Sequence, residues 1–140
     1  RSVQSICSFG DELYPDFEPT KSGNSVLSDH SGIFLVNSRS VDEYVAKFDP
    51  MILRHSKSTK VTLGRPVRNF GESKGLSFER VLIYPTKPIV AWLKNQESEL
   101  SEIGRAKLYV AITRARQSVA FVVGSKDWEE MVGYGKWPVG

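Results

Sequence analysis

Residues 107–123, KLYVAITRARQSVAFVV, place a helical pattern directly before an apolar strand. One helix face is formed by apolar residues at spacings of three and four, namely Leu108, Ala111, Ile112 and Ala115. Residues 118–123 are almost wholly apolar and end at a glycine, which is typical of a strand buried on both faces. The spacing predicts a helix over 97–116, and the passage from helix to buried strand favours an α/β fold.

The rest of the chain repeats this alternation of strand and helix. Ser40 and Glu43 predict a capping box at one helix start, and Thr86 with Pro88 predicts another start. The predicted strands are 32–37, 51–54, 66–70, 78–84 and 118–123, and the predicted helices are 2–14, 41–48, 86–94, 97–116 and 125–132. This order predicts an α/β fold with a mostly parallel sheet and helices on both faces.

The composition is that of one globular domain. Of the 140 residues, 40% are hydrophobic and 25% are charged, which excludes a disordered tail and a disulfide-stapled miniprotein. The single cysteine, Cys7, excludes an internal disulfide, and the isolated His30 and His55 lack metal-ligand spacing, so no metal site is expected. No apolar run reaches the ~20 residues of a membrane span. The net charge of +3 permits an anionic partner.

The chain begins with Arg1 and shows no signal-peptide pattern. We therefore expect a fragment of a longer protein, and the single cysteine fits the reducing environment of the cytoplasm. Part of an active site is then expected to lie on another segment of that protein.

Two segments carry the chemistry. The first, residues 71–78 (GESKGLSF), enters the strand 78–84, and the second, residues 107–116, enters the strand 118–123. Their order and spacing resemble motifs V and VI of the UvrD/Rep-like superfamily 1 DNA helicases, whose usual forms are KGLEF and YV-A/G-x-TRA. The opening Arg1-Ser2 resembles the tail of motif IV. The resemblance covers roughly residues 1–124.

The resemblance implies a RecA-like fold and a place as the second, C-terminal motor domain of an ATP-dependent helicase. Residues 1–124 would form that domain and residues 125–140 a C-terminal helix and tail. The N-terminal motor domain would lie upstream and would bind most of the ATP and Mg²⁺. The sequence agrees, since it contains no G-x-x-x-x-G-K-[ST] phosphate loop. The isolated chain is therefore expected not to hydrolyse ATP.

Arginine at the motif VI position implies an arginine finger. Arg114 would stabilise the γ-phosphoryl group during transfer, because a guanidinium stays charged and presents a planar fork of donors. By the motif IV match, Arg1 would make a second phosphate contact. The structural alternative is an arginine that stabilises a helix end and is otherwise solvated. We expect that alternative for Arg116.

The loop that resembles motif V implies contacts to single-stranded DNA. Ser73, Lys74 and Gly75 would hold a DNA phosphate through backbone N–H groups, a hydroxyl and a charged amine. The alternative is an ordinary glycine-rich turn. Phe70 and Tyr84 are candidate stacking platforms, although each is also a candidate core residue.

The sequence also departs from the family pattern. Asn69 and Gly71 stand where many relatives carry a threonine and a histidine before KGLEF, so a histidine contact to DNA is either absent or supplied by another residue. Ser77 takes the place of the acidic residue that usually serves the nucleotide sugar. Glu79, two residues later, would point to the same side of a strand and is the second candidate for ATP contact.

The implied function is that of a motor domain that couples ATP hydrolysis to movement on single-stranded DNA and to duplex unwinding. Its partners would be single-stranded DNA or a single-strand/duplex junction and the N-terminal motor domain. Roles in DNA repair or DNA replication follow from the resemblance. The alternative is a degenerate RecA-like nucleic-acid-binding module without ATPase activity.

Overall fold

A computed structural model describes residues 2–24, 27–54, 67–70 and 77–138 of the chain. Within these ranges, strands and helices alternate along the sequence. The strands are β1 (Gly32–Asn37), β2 (Met51–Arg54), β3 (Val67–Asn69), β4 (Phe78–Tyr84), β5 (Ala115–Val123) and β6 (Gly135–Trp137). The helices are α1 (Gln4–Asp11), α2 (Val41–Phe48), α3 (Lys87–Lys94), α4 (Glu102–Thr113) and α5 (Ser125–Glu130).

The described strands form a six-stranded sheet in the order β3-β2-β4-β5-β1-β6. Every pairing in this sheet is parallel. Parallel neighbours need long crossover connections, and helices supply them here: α3 and α4 both lie between β4 and β5 in the sequence. The predicted parallel α/β sheet is confirmed.

Helices cover both faces of the sheet. On one face, Phe9 of α1 packs against Trp92 of α3 and Phe121 of β5, with ring centroids 5.5 and 6.0 Å apart. On the opposite face, Tyr44 of α2 is buried together with Leu82 of β4. The four inner strands β2, β4, β5 and β1 therefore have buried residues on both sides, which explains the apolar runs in their sequences.

Helix α4 is shorter than the predicted helix 97–116. It begins at Glu102 because the Ser101 hydroxyl caps it, accepting from the Gly104 N–H at 3.0 Å. It ends at Thr113, and β5 starts at Ala115, so Arg116 lies in a strand and not at a helix end. The predicted placement of Arg116 on the helix was wrong.

The two predicted helix caps differ in outcome. The Thr86 hydroxyl accepts from the Ile89 N–H, so the predicted start of α3 is confirmed. Ser40 makes no side-chain cap at α2, and the predicted capping box was wrong. A short 3₁₀ turn, Ser38–Ser40, precedes α2 instead, and the Asn37 side chain accepts from the Arg39 N–H there.

The C-terminal segment adds an edge strand that the sequence did not predict. β6 pairs with β1, so that Trp137 lies opposite Val36. The indole N–H of Trp128 donates to the carbonyls of Leu35 and Trp137, at 3.2 and 3.1 Å. Trp128 therefore holds this segment against the sheet.

Several predictions fall on residues outside the described ranges. These are the role of Arg1 and the DNA contacts of the loop 71–75. In the described part, no helix is both long and apolar enough to cross a membrane.

Candidate functional site

The two chemistry-bearing segments meet at the amino ends of β4 and β5. The Phe78 N–H donates to the Arg114 carbonyl at 2.8 Å, and Phe78 is paired with Ala115. Because both strands run in the same direction, the residues that precede them lie at one edge of the sheet. Ser77 and Arg114 therefore belong to the same edge.

The N-terminal segment joins this edge as well. The Val3 N–H donates to the Arg116 carbonyl at 2.9 Å, and the Ser2 hydroxyl donates to the Ala115 carbonyl at 2.5 Å. The segment that follows Arg1 is thus hydrogen-bonded to the backbone around Arg114. Three segments that are far apart in the sequence come together at one place, which we call the amino edge (residues 2–3, 77–79 and 113–116).

Arg114 caps the end of its own helix. Its Nε donates to the Val110 carbonyl and its Nη2 to the Thr113 hydroxyl, both at 3.2 Å. The side chain is half-buried. A cation at this position stabilises the unpaired carbonyls of a helix C-terminus. These contacts are the ones expected of an arginine that stabilises a helix end. The role of Arg114 in binding a nucleotide stays a prediction.

Arg116 links the other two candidate residues. Its Nη1 donates to the Ser77 hydroxyl at 3.0 Å, and its Nε lies 3.6 Å from the Glu79 carboxylate. Ser77 and Glu79 therefore face the same side, as the two-residue period of a strand predicts. The Arg116 side chain is 38% exposed, which agrees with the expected surface position, and the structure adds these two contacts.

An open cavity of about 350 Å³ lies at the amino edge, beside the start of β2. Its polar lining combines a hydroxyl, two carboxylates and two guanidinium groups, which suits sugar hydroxyls and phosphate. The lining residues are Asp49, Pro50, Met51, Ser77, Phe78, Glu79, Arg80 and Arg116. A larger cavity, of about 530 Å³, lies between α1, α3 and residues 132–134 and contains none of the candidate residues.

A family model supplies the deciding comparison. The model of the viral superfamily 1 RNA helicase core domain matches residues 1–123. The chain belongs to this helicase family. The predicted superfamily 1 helicase domain is confirmed at this level, whereas the narrower UvrD/Rep affiliation stays a prediction.

The helicase domain also resembles a solved structure. That structure is the crystal structure of the C-terminal domain of a possible DNA helicase from Lactobacillus plantarum WCFS1. The match has a TM-score of 0.55 at 20% identity and covers 97% of each chain. At this identity the likeness shows the fold, and the predicted RecA-like α/β class is confirmed. No curated protein matches the chain.

Of the candidate DNA contacts of the helicase domain, the structure describes only the two aromatic residues. Ser73, Lys74 and Gly75 lie outside the described ranges. Phe70, a candidate stacking platform, is completely buried in the core and is not available to a base. Tyr84 is half-buried at the carboxyl end of β4.

His30, for which the sequence predicts no metal-binding role, occupies a distinctive position in the structure. It is buried, and its ring stacks between Phe34 and Phe48 with centroids 3.7 and 4.0 Å away. Its Nε2 lies 2.8 Å from the Tyr44 hydroxyl. Burial, assisted by the positive charge of Arg80, lowers the pKa of His30 to about 4. Among the described residues, no group of three or more His, Cys, Asp or Glu is placed to hold a metal ion.

Proposed function

We propose that residues 1–124 of this helicase domain form the second motor domain of an ATP-driven translocase on single-stranded nucleic acid. One observation carries the proposal: Ser2, Ser77 and Arg114, from three segments distant in sequence, lie along the same amino edge. An edge that gathers these segments is suited to face a nucleotide held by another domain. The first motor domain would then be supplied by a separate segment or chain.

Arg114 is the residue proposed to act during phosphoryl transfer. A guanidinium contributed from a second domain stabilises the charge that develops on the transferring group, and such arginines accelerate hydrolysis by roughly 10³- to 10⁵-fold. Its bonds to Val110 and Thr113 hold it at the last turn of α4. Release of those two bonds when the motor domains close would let the side chain extend, with Arg1 as a second phosphate contact.

The donor set at the amino edge fits half of a nucleotide site. Ser77 offers a hydroxyl and Glu79 a carboxylate, and both types of group accept hydrogen bonds from sugar hydroxyls. The sequence holds no glycine-rich phosphate loop, so the triphosphate and Mg²⁺ would be held mainly by the first motor domain. ATP, when bound, supplies the phosphoryl group whose loss allows the two domains to separate.

The nucleic-acid contact proposed for this domain is the loop that contains Ser73, Lys74 and Gly75. A lysine beside small residues lets backbone N–H groups and an amine approach the same phosphate. The family name refers to RNA helicases and the similar solved structure to a possible DNA helicase. Single-stranded DNA or a single-strand/duplex junction is the substrate we propose.

The decisive experiment is ATP hydrolysis by the full-length protein that carries this domain, with and without single-stranded DNA. We expect DNA to stimulate turnover and Arg114→Ala to lower kcat by roughly a thousandfold. Arg39→Ala is the matched control, because Arg39 is exposed on the 3₁₀ turn before α2. If DNA stimulates turnover and Arg114→Ala has the same kcat as wild type, Arg114 is not an arginine finger.

A second candidate is a nucleic-acid-binding module without ATPase activity. Two observations favour it: Arg114 is engaged at its own helix end, and a serine, Ser77, stands where an acidic residue is usual. This candidate predicts nucleic-acid binding with no hydrolysis by the wild-type full-length protein. Turnover that depends on Arg114 would exclude it.

A further inference from the structure

Three polar side chains form a row across β3, β2 and β4 near their carboxyl ends. Arg54 is paired with Asn69 on one side and with Tyr84 on the other. In-register residues of parallel neighbours point to the same face of a sheet, so these three side chains lie side by side. All three are half-buried, so part of the row is accessible to solvent.

The guanidinium of Arg54 is oriented by its neighbour. Its Nε donates to Oδ1 of Asn69 at 2.9 Å. Among the described residues, none accepts a hydrogen bond from its two terminal nitrogens. A guanidinium held through Nε presents those two nitrogens as a fork, the geometry that matches two phosphate oxygens.

Tyr84 provides an aromatic surface next to this fork. Tyr84 packs against the buried cluster beneath α2 and is itself only half-buried. Burial, and then the nearby Asp42 carboxylate, raise the pKa of Tyr84, so the phenol stays neutral and does not repel phosphate. A fixed and neutral ring beside a cation is suited to stack a base whose phosphate the cation binds.

The stretch of sequence that begins at Arg54 is rich in basic residues. The whole chain has a net charge of +3, yet residues 54–74 contain one acidic residue, Glu72, and six basic ones. The basic residues are Arg54, Lys57, Lys60, Arg65, Arg68 and Lys74. This excess complements a polyanion, whereas Asp42 is the acidic side chain near Tyr84 that opposes it.

We propose that Arg54, Asn69 and Tyr84 form a binding surface for single-stranded nucleic acid, with a phosphate on Arg54 and a base on Tyr84. Asn69 acts as a positioning residue for the guanidinium. The proposal deepens the proposed function, because it rests on single-stranded nucleic acid as the substrate. β4 joins this surface to the amino edge, and its seven residues separate Ser77 from Tyr84 by roughly 20 Å. Nucleic acid and nucleotide therefore bind at opposite ends of the same strand.

Fluorescence polarisation of labelled oligothymidylate and oligouridylate, titrated with the 140-residue chain, tests this surface. We expect Arg54→Gln to weaken binding about tenfold or more and to lower the slope of log K against log salt by about 0.7. Tyr84→Leu should weaken binding about fivefold or more, whereas Tyr84→Phe, which keeps the ring, should bind like wild type. The two oligonucleotides show whether the surface prefers DNA or RNA.

Lys136→Gln is the matched control for charge, because it removes one cation from β6, at the opposite edge of the sheet from β3. Thermal melts followed by circular dichroism show that each variant is folded. Equal binding by wild type and Arg54→Gln overturns this surface and leaves the ATPase test of Arg114 unaffected. A wild-type chain that binds neither oligonucleotide also overturns it, independently of that test.

Discussion

Arg116 lies 3.0 Å from the hydroxyl of Ser77, although 39 residues separate the two in the sequence. The same guanidinium is 3.6 Å from the carboxylate of Glu79. One side chain of β5 thus holds both candidate sugar contacts at the start of β4. The arginine two residues earlier, Arg114, is the proposed finger, so a single short segment connects the sugar contacts with the phosphate contact.

Replacement of Arg116 should affect nucleotide affinity more than turnover. In Arg116→Ala, Ser77 and Glu79 lose their shared partner, and we expect KM for ATP to rise about two- to tenfold in the full-length protein. The change in kcat should be small, because Arg116 does not face the transferring group in the proposed site. Steady-state kinetics at saturating single-stranded DNA measure this split. Arg116→Lys keeps the charge but loses the planar fork of donors, so its KM for ATP should lie between those of wild type and Arg116→Ala.

The fold should tolerate Arg116→Ala, so that a change in KM can be attributed to the lost contacts and not to unfolding. The Arg116 and Glu79 side chains are 38% and 59% exposed, and ion pairs at such positions contribute roughly 0–1 kcal/mol. A urea titration should give a free energy of unfolding close to that of wild type. A large loss of stability, or a fall in kcat equal to that of Arg114→Ala, would contradict the positioning role.

Arg114→Ala should destabilise the domain only slightly. The variant loses two bonds to the last turn of α4, and we expect the free energy of unfolding to fall by about 1 kcal/mol. For a domain of this size that corresponds to a drop in Tm of about 2–5 °C. Differential scanning calorimetry of the isolated chain measures it. A much larger drop would mean that lost ATPase activity reflects unfolding and not a missing finger.

Strands with a buried apolar centre were predicted well from the sequence. β1, β2 and β4 match the predicted ranges 32–37, 51–54 and 78–84 residue by residue, because the apolar centre of a strand covered on both sides marks its position in the sequence. β6 carries no such run. Gly135–Trp137 becomes a strand only through its pairing with β1, and a three-residue edge strand leaves no pattern in its own sequence.

Part of the candidate site was predictable for a similar reason. The shared side of Ser77 and Glu79 follows from the two-residue period of a strand. The role of Arg116 could not be predicted, because the apolar stripe of α4 continues to Ala115 and extended the predicted helix past its true end. The boundary is fixed by a tertiary contact, the bond from the Phe78 N–H to the Arg114 carbonyl.

The stability of the domain should depend on pH through His30. Its pKa is about 4 in the folded state, below the ordinary value of 6.5, so the unfolded chain takes up a proton first as the pH falls. The contribution of the neutral ring is fully present above pH 6.5 and is lost as the pH falls towards 4. We expect a loss of roughly 2 kcal/mol over that range.

Urea unfolding at several pH values tests this dependence, with His30→Gln as the comparison. Glutamine does not titrate and keeps a polar group near the Tyr44 hydroxyl, which His30 contacts at 2.8 Å. The variant should be less stable than wild type at pH 7 and should show a flatter profile between pH 6.5 and 4. Parallel profiles for the two proteins would assign the acid sensitivity to other groups.

A methyl group at Gly135 should disturb both β6 and the His30 stack. A Cβ at this position would lie 2.5 Å from Cδ1 of Phe34 and 3.2 Å from the carbonyl oxygen of Ile33. The Phe34 ring cannot simply move away, because His30 stacks on it at 3.7 Å. We expect Gly135→Ala to lower the free energy of unfolding by about 1–3 kcal/mol.

Gly124→Ala is the control for this substitution, because a Cβ there meets no atom within 4 Å among the described residues. Urea titrations of the two variants should therefore give different results, with Gly124→Ala near wild type. In a Phe34→Leu background, the smaller side chain relieves the clash, and Gly135→Ala should cost less than it does alone. Additive effects of the two substitutions would show that contact with the ring is not the cause. The loss would then have to come from the backbone contact with Ile33.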